Sequence, residues 1–356
     1  MLGDTATPAI ERRGRLGTVT LRRKAAMNAL THADALAIHQ ALDDWEADAE
    51  TDAVLICAAP GRTFCAGVDT RMVYAARLAG ETDANLRLFA ACYRLTRRLA
   101  AFRKPLVRLI DGTAAAAGSG LALLGGIGVV GENLRLLVPG CGFGWFPDGG
   151  INFVLSRLPD GMGEYLALTG AAIGAADAVD LGLATAHVPS TRFAALRAAL
   201  EGAERLPPAA VRAIVEAHRG VPPEGLMRAH AGIIGRIFSE PTVEGIAQAL
   251  AAETGDFAAT ARELMARRCP TSLCVALAAL RRARNAGLEA ALETDYRIAA
   301  RFVRRCDVYE GIRAAFEDRD GAPVWLPGSV ESVHQDIIDA CFASLPEERE
   351  DAGSSV

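Results

Sequence analysis

The chain is 356 residues long with a net charge of −5, and 51% of its residues are hydrophobic. A chain of this size and apolarity can bury a sizeable core, as one large domain or a domain with an appendage. Its acidic balance argues against a general nucleic-acid binder, and its most hydrophobic stretch, Leu121 to Val130, is too short to span a membrane. The first residues carry Asp4 and Glu11 but no apolar segment, so neither a signal nor a transit peptide is expected, and the expected compartment is the cytoplasm. The eight cysteines and six histidines show no CxxC pair and no ligand-like spacing, which predicts free thiols, no metal site and no redox cofactor.

Along the chain, Leu16 to Arg23 alternates like a strand, and Asp34 to Trp45 puts Leu36, Leu42 and Trp45 on one helical face. The apolar run 53–58 reads as a strand leading to the Pro60-Gly61 turn and the small-residue loop Phe64-Cys65-Ala66-Gly67-Val68-Asp69. Residues 86–100 read as a helix with Leu86, Phe89, Ala90 and Tyr93 inward. The run 106–110 then reads as a strand leading to a second small-residue loop, Asp111 to Gly120, and a short apolar helix. Strand and helix alternate to about residue 188, which predicts an α/β layered core. From Ser190 to Ala315 only helical signals appear, broken at Pro207-Pro208, Pro222-Pro223, Pro241 and Pro270. The expected organisation is a core over 12–190, a helical C-terminal region over 191–345, and disordered tails at 1–11 and 346–356.

The two loops carry the chemistry. Small residues let backbone N–H groups approach a ligand closely, and a helix start adds the positive end of its dipole. Two amides converging on one point bind a thioester carbonyl and stabilise the oxyanion it becomes. A single buried-looking acid follows, Asp148 in Gly144-Trp145-Phe146-Pro147-Asp148-Gly149-Gly150. Its aromatic neighbours predict an apolar setting suited to acid–base work, while its place ahead of Ile151-Asn152 also suits a helix N-cap.

With these loops the chain resembles the crotonase (enoyl-CoA hydratase/isomerase) superfamily, and within it the 3-hydroxyisobutyryl-CoA hydrolase branch. The resemblance rests on Lys24 to Leu30, Thr63 to Asp69, Gly112 to Gly120, Gly144 to Gly150 and Tyr165 to Gly170. The hydrolase branch is singled out by Pro270-Thr271-Ser272-Leu273, Tyr296-Arg297, Glu310 to Ala314 and Pro323-Val324-Trp325. The resemblance covers roughly residues 12–345. It implies a spiral of ββα units with a helical C-terminal region, an acyl-CoA substrate with no further cofactor, no nucleic-acid or membrane partner, and assembly as trimers or hexamers. By position it makes the amides of Val68 and Ala117 the oxyanion hole and Asp148 the acid–base group. It places Arg23, Ala26, Ala66, Gly67, Asp69, Cys92, Gly118 and Gly140 against the substrate. Arg22, Arg23 and Lys24 are expected to supply charge for the nucleotide phosphates, and Asp69 to cap its helix and aim the Val68 amide.

The departures from the family pattern are specific. The two hydratase glutamates correspond to Gly120 and Gly140; the hydrolase branch shares the first glycine but keeps a glutamate at the second. A further substrate-facing glutamate of the hydrolases falls on Cys92, and two family glycines are Val68 and Ala117, which keep their N–H groups but add bulk. Gly140 is expected to leave a small vacancy open to water, bicarbonate or a substrate carboxylate, and Gly140→Glu is expected to restore hydrolysis. Cys92 and Cys141 read first as small buried hydrophobes and only second as nucleophiles, since no histidine is near either. His187 reads as structural, and Glu164 as a favourable charge at a helix start. Three functions stay open: hydrolysis of a short branched or 3-hydroxylated acyl-CoA; a lyase, isomerase or cyclase step through a CoA enolate; and non-catalytic acyl-CoA binding.

Overall fold

The computed structural model describes residues 7–346. The strands are β1 (Ala9–Arg13), β2 (Leu16–Leu21), β3 (Ala53–Ala58), β4 (Thr63–Cys65), β5 (Leu106–Ile110), β6 (Thr113–Ala115), β7 (Ile127–Val130), β8 (Arg135–Leu137) and β9 (Ala186–His187). The first helices are α1 (His32–Ala47), α2 (Thr70–Leu78), α3 (Thr82–Ala100), α4 (Ala117–Leu123), α5 (Ile151–Leu155), α6 (Met162–Thr169), α7 (Ala175–Asp180), α8 (Phe193–Glu201) and α9 (Pro208–His218). They are followed by α10 (Met227–Phe238), α11 (Val243–Ala252), α12 (Asp256–Ala266), α13 (Pro270–Ala283), α14 (Leu288–Phe302), α15 (Cys306–Ile312) and α16 (Gln335–Phe342). The chain divides into two compact units. One holds the residues up to Asp69 with Ala90–Val138 and Ala171–Gly235; the other holds Thr70–Phe89, Pro139–Gly170 and the chain from Arg236 on.

The first unit contains both sheets. The larger has the order β1-β2-β3-β5-β7-β9 and the smaller β4-β6-β8; β1 and β2 pair antiparallel and the other strand pairs are parallel. Each of the pairs β3/β4, β5/β6 and β7/β8 gives its first strand to the large sheet and its second to the small one, which is the expected spiral of ββα units. The corners stack on one another: Thr113 donates its N–H to Arg62 O and Arg135 to Gly112 O. Gly112 sits at φ +85°, and a β-carbon there would lie 2.3 Å from Arg62 O. Runs such as Ala53-Val54-Leu55-Ile56-Cys57 are almost wholly buried, as parallel strands covered on both faces require. One face of the sheet, with Leu16, Leu55, Val107, Leu109 and Val129, packs against Leu196 and Leu200 of α8 and Val211 and Val215 of α9.

Three expectations change here. The core does not end at residue 190, because the apolar faces of α8 and α9 have the sheet as their burial surface. The N-terminal tail is shorter than expected: β1 is ordered by pairing with β2 from Ala9 onward, while residues 1–6 and 347–356 lie outside the described residues. Leu36 is exposed, while the expected Leu42 and Trp45 are buried together with Ala35 and Ile38.

In the second unit α13 is the central element. Its start at Pro270 places the proline where no helical N–H is needed, and most of its residues are buried. It packs against α5, α6, α14 and α16. Trp145 stacks on Phe89 at 4.3 Å between ring centroids, and Phe146 and Phe302 complete an aromatic cluster. Among the described residues no helix is long and apolar enough to cross a membrane.

Candidate functional site

The backbone at Val68 is fixed by one peptide on each side. Leu30 N–H donates to Gly67 O at 2.7 Å, and Asp69 N–H donates to Leu30 O at 3.0 Å. Because the Gly67–Val68 peptide is trans and planar, the Val68 N–H points away from Leu30. Ala66 N–H meets Met27 O at 3.1 Å, so the segment through Ala26 is tied to the same loop.

The Ala117 amide is set the same way. Ala116 O accepts Ser119 N–H at 2.8 Å, which turns the Ala117 N–H outward at the start of α4. Ala116 reaches this pose at φ +50°, ψ −128°, a conformation unfavourable for a residue with a β-carbon. A β-carbon on Gly67 would lie 2.9 Å from the Ala116 β-carbon and 3.3 Å from the Ala117 nitrogen, so the two loops meet where residue 67 has no side chain. Gly118 closes against the Cys65 carbonyl, 2.1 Å from where its β-carbon would be. Val68 and Ala117 themselves are only partly buried. The two outward-facing amides thus lie on abutting loops.

Arg23 has a different partner from the expected phosphates. Its guanidinium pairs with Asp69, lies 3.6 Å from Asp34, and donates to Ala29 O at 3.0 Å; the side chain is 13% exposed. In this structure the guanidinium therefore ties to the loop that carries Val68. Arg22 and Lys24 remain exposed, with Arg22 donating to Thr7 O. Asp69 immediately precedes α2 and acts through Arg23 on the loop. Cys92 is buried on α3. His187 is buried in β9, where its carbonyl accepts Gly220 N–H.

In the second unit Asp148 is buried in the turn before α5, but it is not the cap of that helix. The N-cap is Gly150, and the backbone carbonyl of Asp148 accepts from Ile151 N–H. The Gly150 N–H goes to Asp295 on α14 at 2.9 Å, and Asp295 also accepts from Asn152 Nδ2 at 3.0 Å. Asp295 was missed by sequence reasoning, although it directly precedes the quoted Tyr296-Arg297; nothing in an i,i+4 pattern announces a buried acid aimed at a distant turn. Burial, with the nearby Asp148 carboxyl adding to it, pushes its carboxyl up to about 8 against the lowering of the Gly150 and Asn152 hydrogen bonds. Asp148 and Asp295 are thus neighbouring buried acids.

The vacancy expected at Gly140 does not exist. A β-carbon there would lie 2.6 Å from Phe146 O and 2.8 Å from its carbonyl carbon. The chain makes a 3-10 turn over Gly140–Phe143, reverses at Gly144 (φ +66°), and returns Trp145 N–H to Gly140 O at 3.0 Å. The turn is also nested against neighbours: side chains at Gly142 and Gly144 would meet Arg268 and Asp307. Gly140→Glu is therefore expected to cost about 1–3 kcal/mol of stability through overpacking and to gain no hydrolysis. A denaturant melt with a thiol-release assay checks both. Cys141 is equally unsuited to nucleophilic attack, since burial pushes its thiol up to about 12 despite Arg268 nearby. Glu164 lies in the first turn of α6, paired with Arg284 at 2.6 Å. Among the described residues no group of three His, Cys, Asp or Glu is arranged to hold a metal ion.

Comparison with known proteins agrees with this architecture. The family model for enoyl-CoA hydratase/isomerase matches residues 16–342. The chain is 32% identical to the mitochondrial 3-hydroxyisobutyryl-CoA hydrolase of Danio rerio, over 95% of this chain and 89% of that protein. It is 31% identical to probable 3-hydroxyisobutyryl-CoA hydrolase 3 of Arabidopsis thaliana, over 95% and 92%. Among solved structures it superposes on a carnitinyl-CoA dehydratase from Mycobacterium thermoresistibile with a TM-score of 0.90, at 31% identity over 95% of this chain and 97% of that one. An enoyl-CoA hydratase from Rhodobacter sphaeroides 2.4.1 gives 0.89, at 34% identity over 96% and 99%. The zebrafish relative is named as mitochondrial, so the cytoplasmic expectation is not carried further. The chain belongs to the enoyl-CoA hydratase/isomerase family, the crotonase superfamily, and has that family's α/β fold.

Proposed function

We propose that the protein hydrolyses a short, branched or 3-hydroxylated acyl-CoA thioester. The observation that carries this is the pair of outward-facing amides at Val68 and Ala117, supported by the hydrolase names of its curated relatives. In this reading the two N–H groups polarise the thioester carbonyl. Asp148 takes a proton from water as the water oxygen adds to the carbonyl carbon, and the negative charge moves to the oxygen held by the amides. The tetrahedral species then expels the CoA sulfur, which leaves as the thiol after taking the proton back from Asp148. With Gly140 closed into its turn, this reading uses a single acid–base group rather than two.

That same loss favours one second reading. An enolate step needs the amides and only one acid–base group, and the two superposed structures are titled as a dehydratase and a hydratase. Free CoA thiol release across a panel of short acyl-, 3-hydroxyacyl- and enoyl-CoA thioesters separates the two. Thiol release supports hydrolysis, whereas a changed acyl group without free thiol supports the enolate reaction. Binding without either outcome removes both.

A further inference from the structure

Arg108 is the centre of β5, and it is an unusual residue for that place. Neighbouring strand positions alternate between two faces; Val107 and Leu109 face the α8–α9 layer, and Arg108 lies on the opposite face. It is 2% exposed. Across the parallel pairing its partner on β7 is Gly128, and a β-carbon there would lie 3.5 Å from Arg108 Nη2. Residue 128 therefore lies within ordinary contact distance of the guanidinium. Arg108 Nη1 donates to Ala122 O at 2.7 Å, while Nε is buried without a partner. Among the described residues no carboxylate pairs with it, and burial lowers its pKa to about 10.

A buried cation without a counter-charge is costly, so its location is informative. Ala122 is in the last turn of α4, whose helix ends at Leu124 with its N–H on Gly120 O. The carbonyls of a last turn lack intrahelical partners and carry the negative end of the helix dipole. The other end of α4, about 7–8 Å away along the axis, begins with Ala117. The guanidinium therefore anchors the short helix from behind, and its positive charge adds to the field felt by an oxyanion in front.

We infer that Arg108 is a positioning residue for the carbonyl-binding amide of Ala117, acting through Ala122 O and α4. The inference rests on the proposed carbonyl site, and its consequences differ from those of a residue that serves only the fold. A buried, unpaired cation replaced by an apolar side chain of similar length relieves a desolvation cost, so Arg108→Met is expected to melt at or above the wild-type temperature. The same variant is expected to lose about tenfold in kcat, as helix-end charge effects allow, with KM unchanged. Arg108→Lys, which keeps the charge, is expected to recover most of that loss.

The test that needs no turnover is infrared spectroscopy of bound acetyl-CoA carrying a ¹³C-labelled thioester carbonyl. In the wild-type protein the carbonyl band is expected to shift to lower frequency on binding, and in Arg108→Met the shift is expected to shrink while calorimetric affinity holds. An undiminished shift in Arg108→Met overturns the inference and leaves the carbonyl site standing. Absence of any shift in the wild-type protein overturns the carbonyl site and the inference with it. If Arg108→Met and a second neutral variant, Arg108→Gln, both fail to fold, Arg108 serves folding and the inference falls.

Discussion

Asp148→Asn is expected to lower acyl-CoA turnover by about 10²–10⁴-fold while leaving CoA binding near its wild-type strength. The amide isostere keeps the size of the side chain but cannot take a proton from water. The fold does not depend on Asp148 for the cap of α5, because Gly150 and Asp295 fill that role. A stability effect of opposite sign accompanies the lost activity. The Asp295 carboxyl is raised to about 8, first by burial and also by Asp148. An acid raised on folding contributes stability that is complete below the usual carboxylate range and is lost as pH rises through the folded-state value. Asparagine at 148 removes one cause of the raise, so the fall in melting temperature from about pH 5 to about pH 9 is smaller in the variant than in wild type. Steady-state assays and melting curves across that interval check both halves. A variant with near-wild-type rate transfers the acid–base role to another group.

Gly67→Ala is the second change with a large expected effect, a loss of about 10²–10³ in kcat, the scale of losing one oxyanion donor. Residue 67 sits at φ +102°, where a β-carbon costs about 1–2 kcal/mol, and that carbon would press on Ala116 at 2.9 Å. Ala116 is already in a strained conformation that turns the Ala117 amide outward, so the contact moves that amide. The neighbouring peptide carries the Val68 N–H, and both donors shift together. The protein is expected to remain folded, because the strain falls on the two turns at the ends of β4 and β6 rather than within the paired strands. A variant that keeps its kcat and its carbonyl polarisation would falsify the assignment of these amides.

The strands and their order of appearance were legible because parallel strands buried on both faces leave unbroken apolar runs, as at 53–58 and 106–110. The loops after them were legible because glycine and alanine accumulate where two backbones approach. Side-chain partnerships were not legible in the same way. Arg23 was read as a phosphate ligand from its basic neighbours, yet it lies close enough to Asp69 and Asp34 to be used on the loop itself. Gly140 was read as an absent glutamate and hence a space. The missing side chain is instead the condition for Phe146 to close the turn.

The sequence by itself determined the succession of ββα units, the two small-residue loops and the family to which the chain belongs. These features depend on local periodicity and on which residues tolerate close backbone contact. Tertiary structure alone decided which way the Val68 amide points, since Leu30 N–H holds the preceding Gly67 carbonyl. It also decided that α8 and α9 belong with the sheet, that Asp295 caps the turn beginning at Asp148, and that Arg108 reaches the Ala122 carbonyl at the end of α4. Each of these joins residues distant in sequence, and no periodicity along a chain records which buried groups become neighbours once the layers pack.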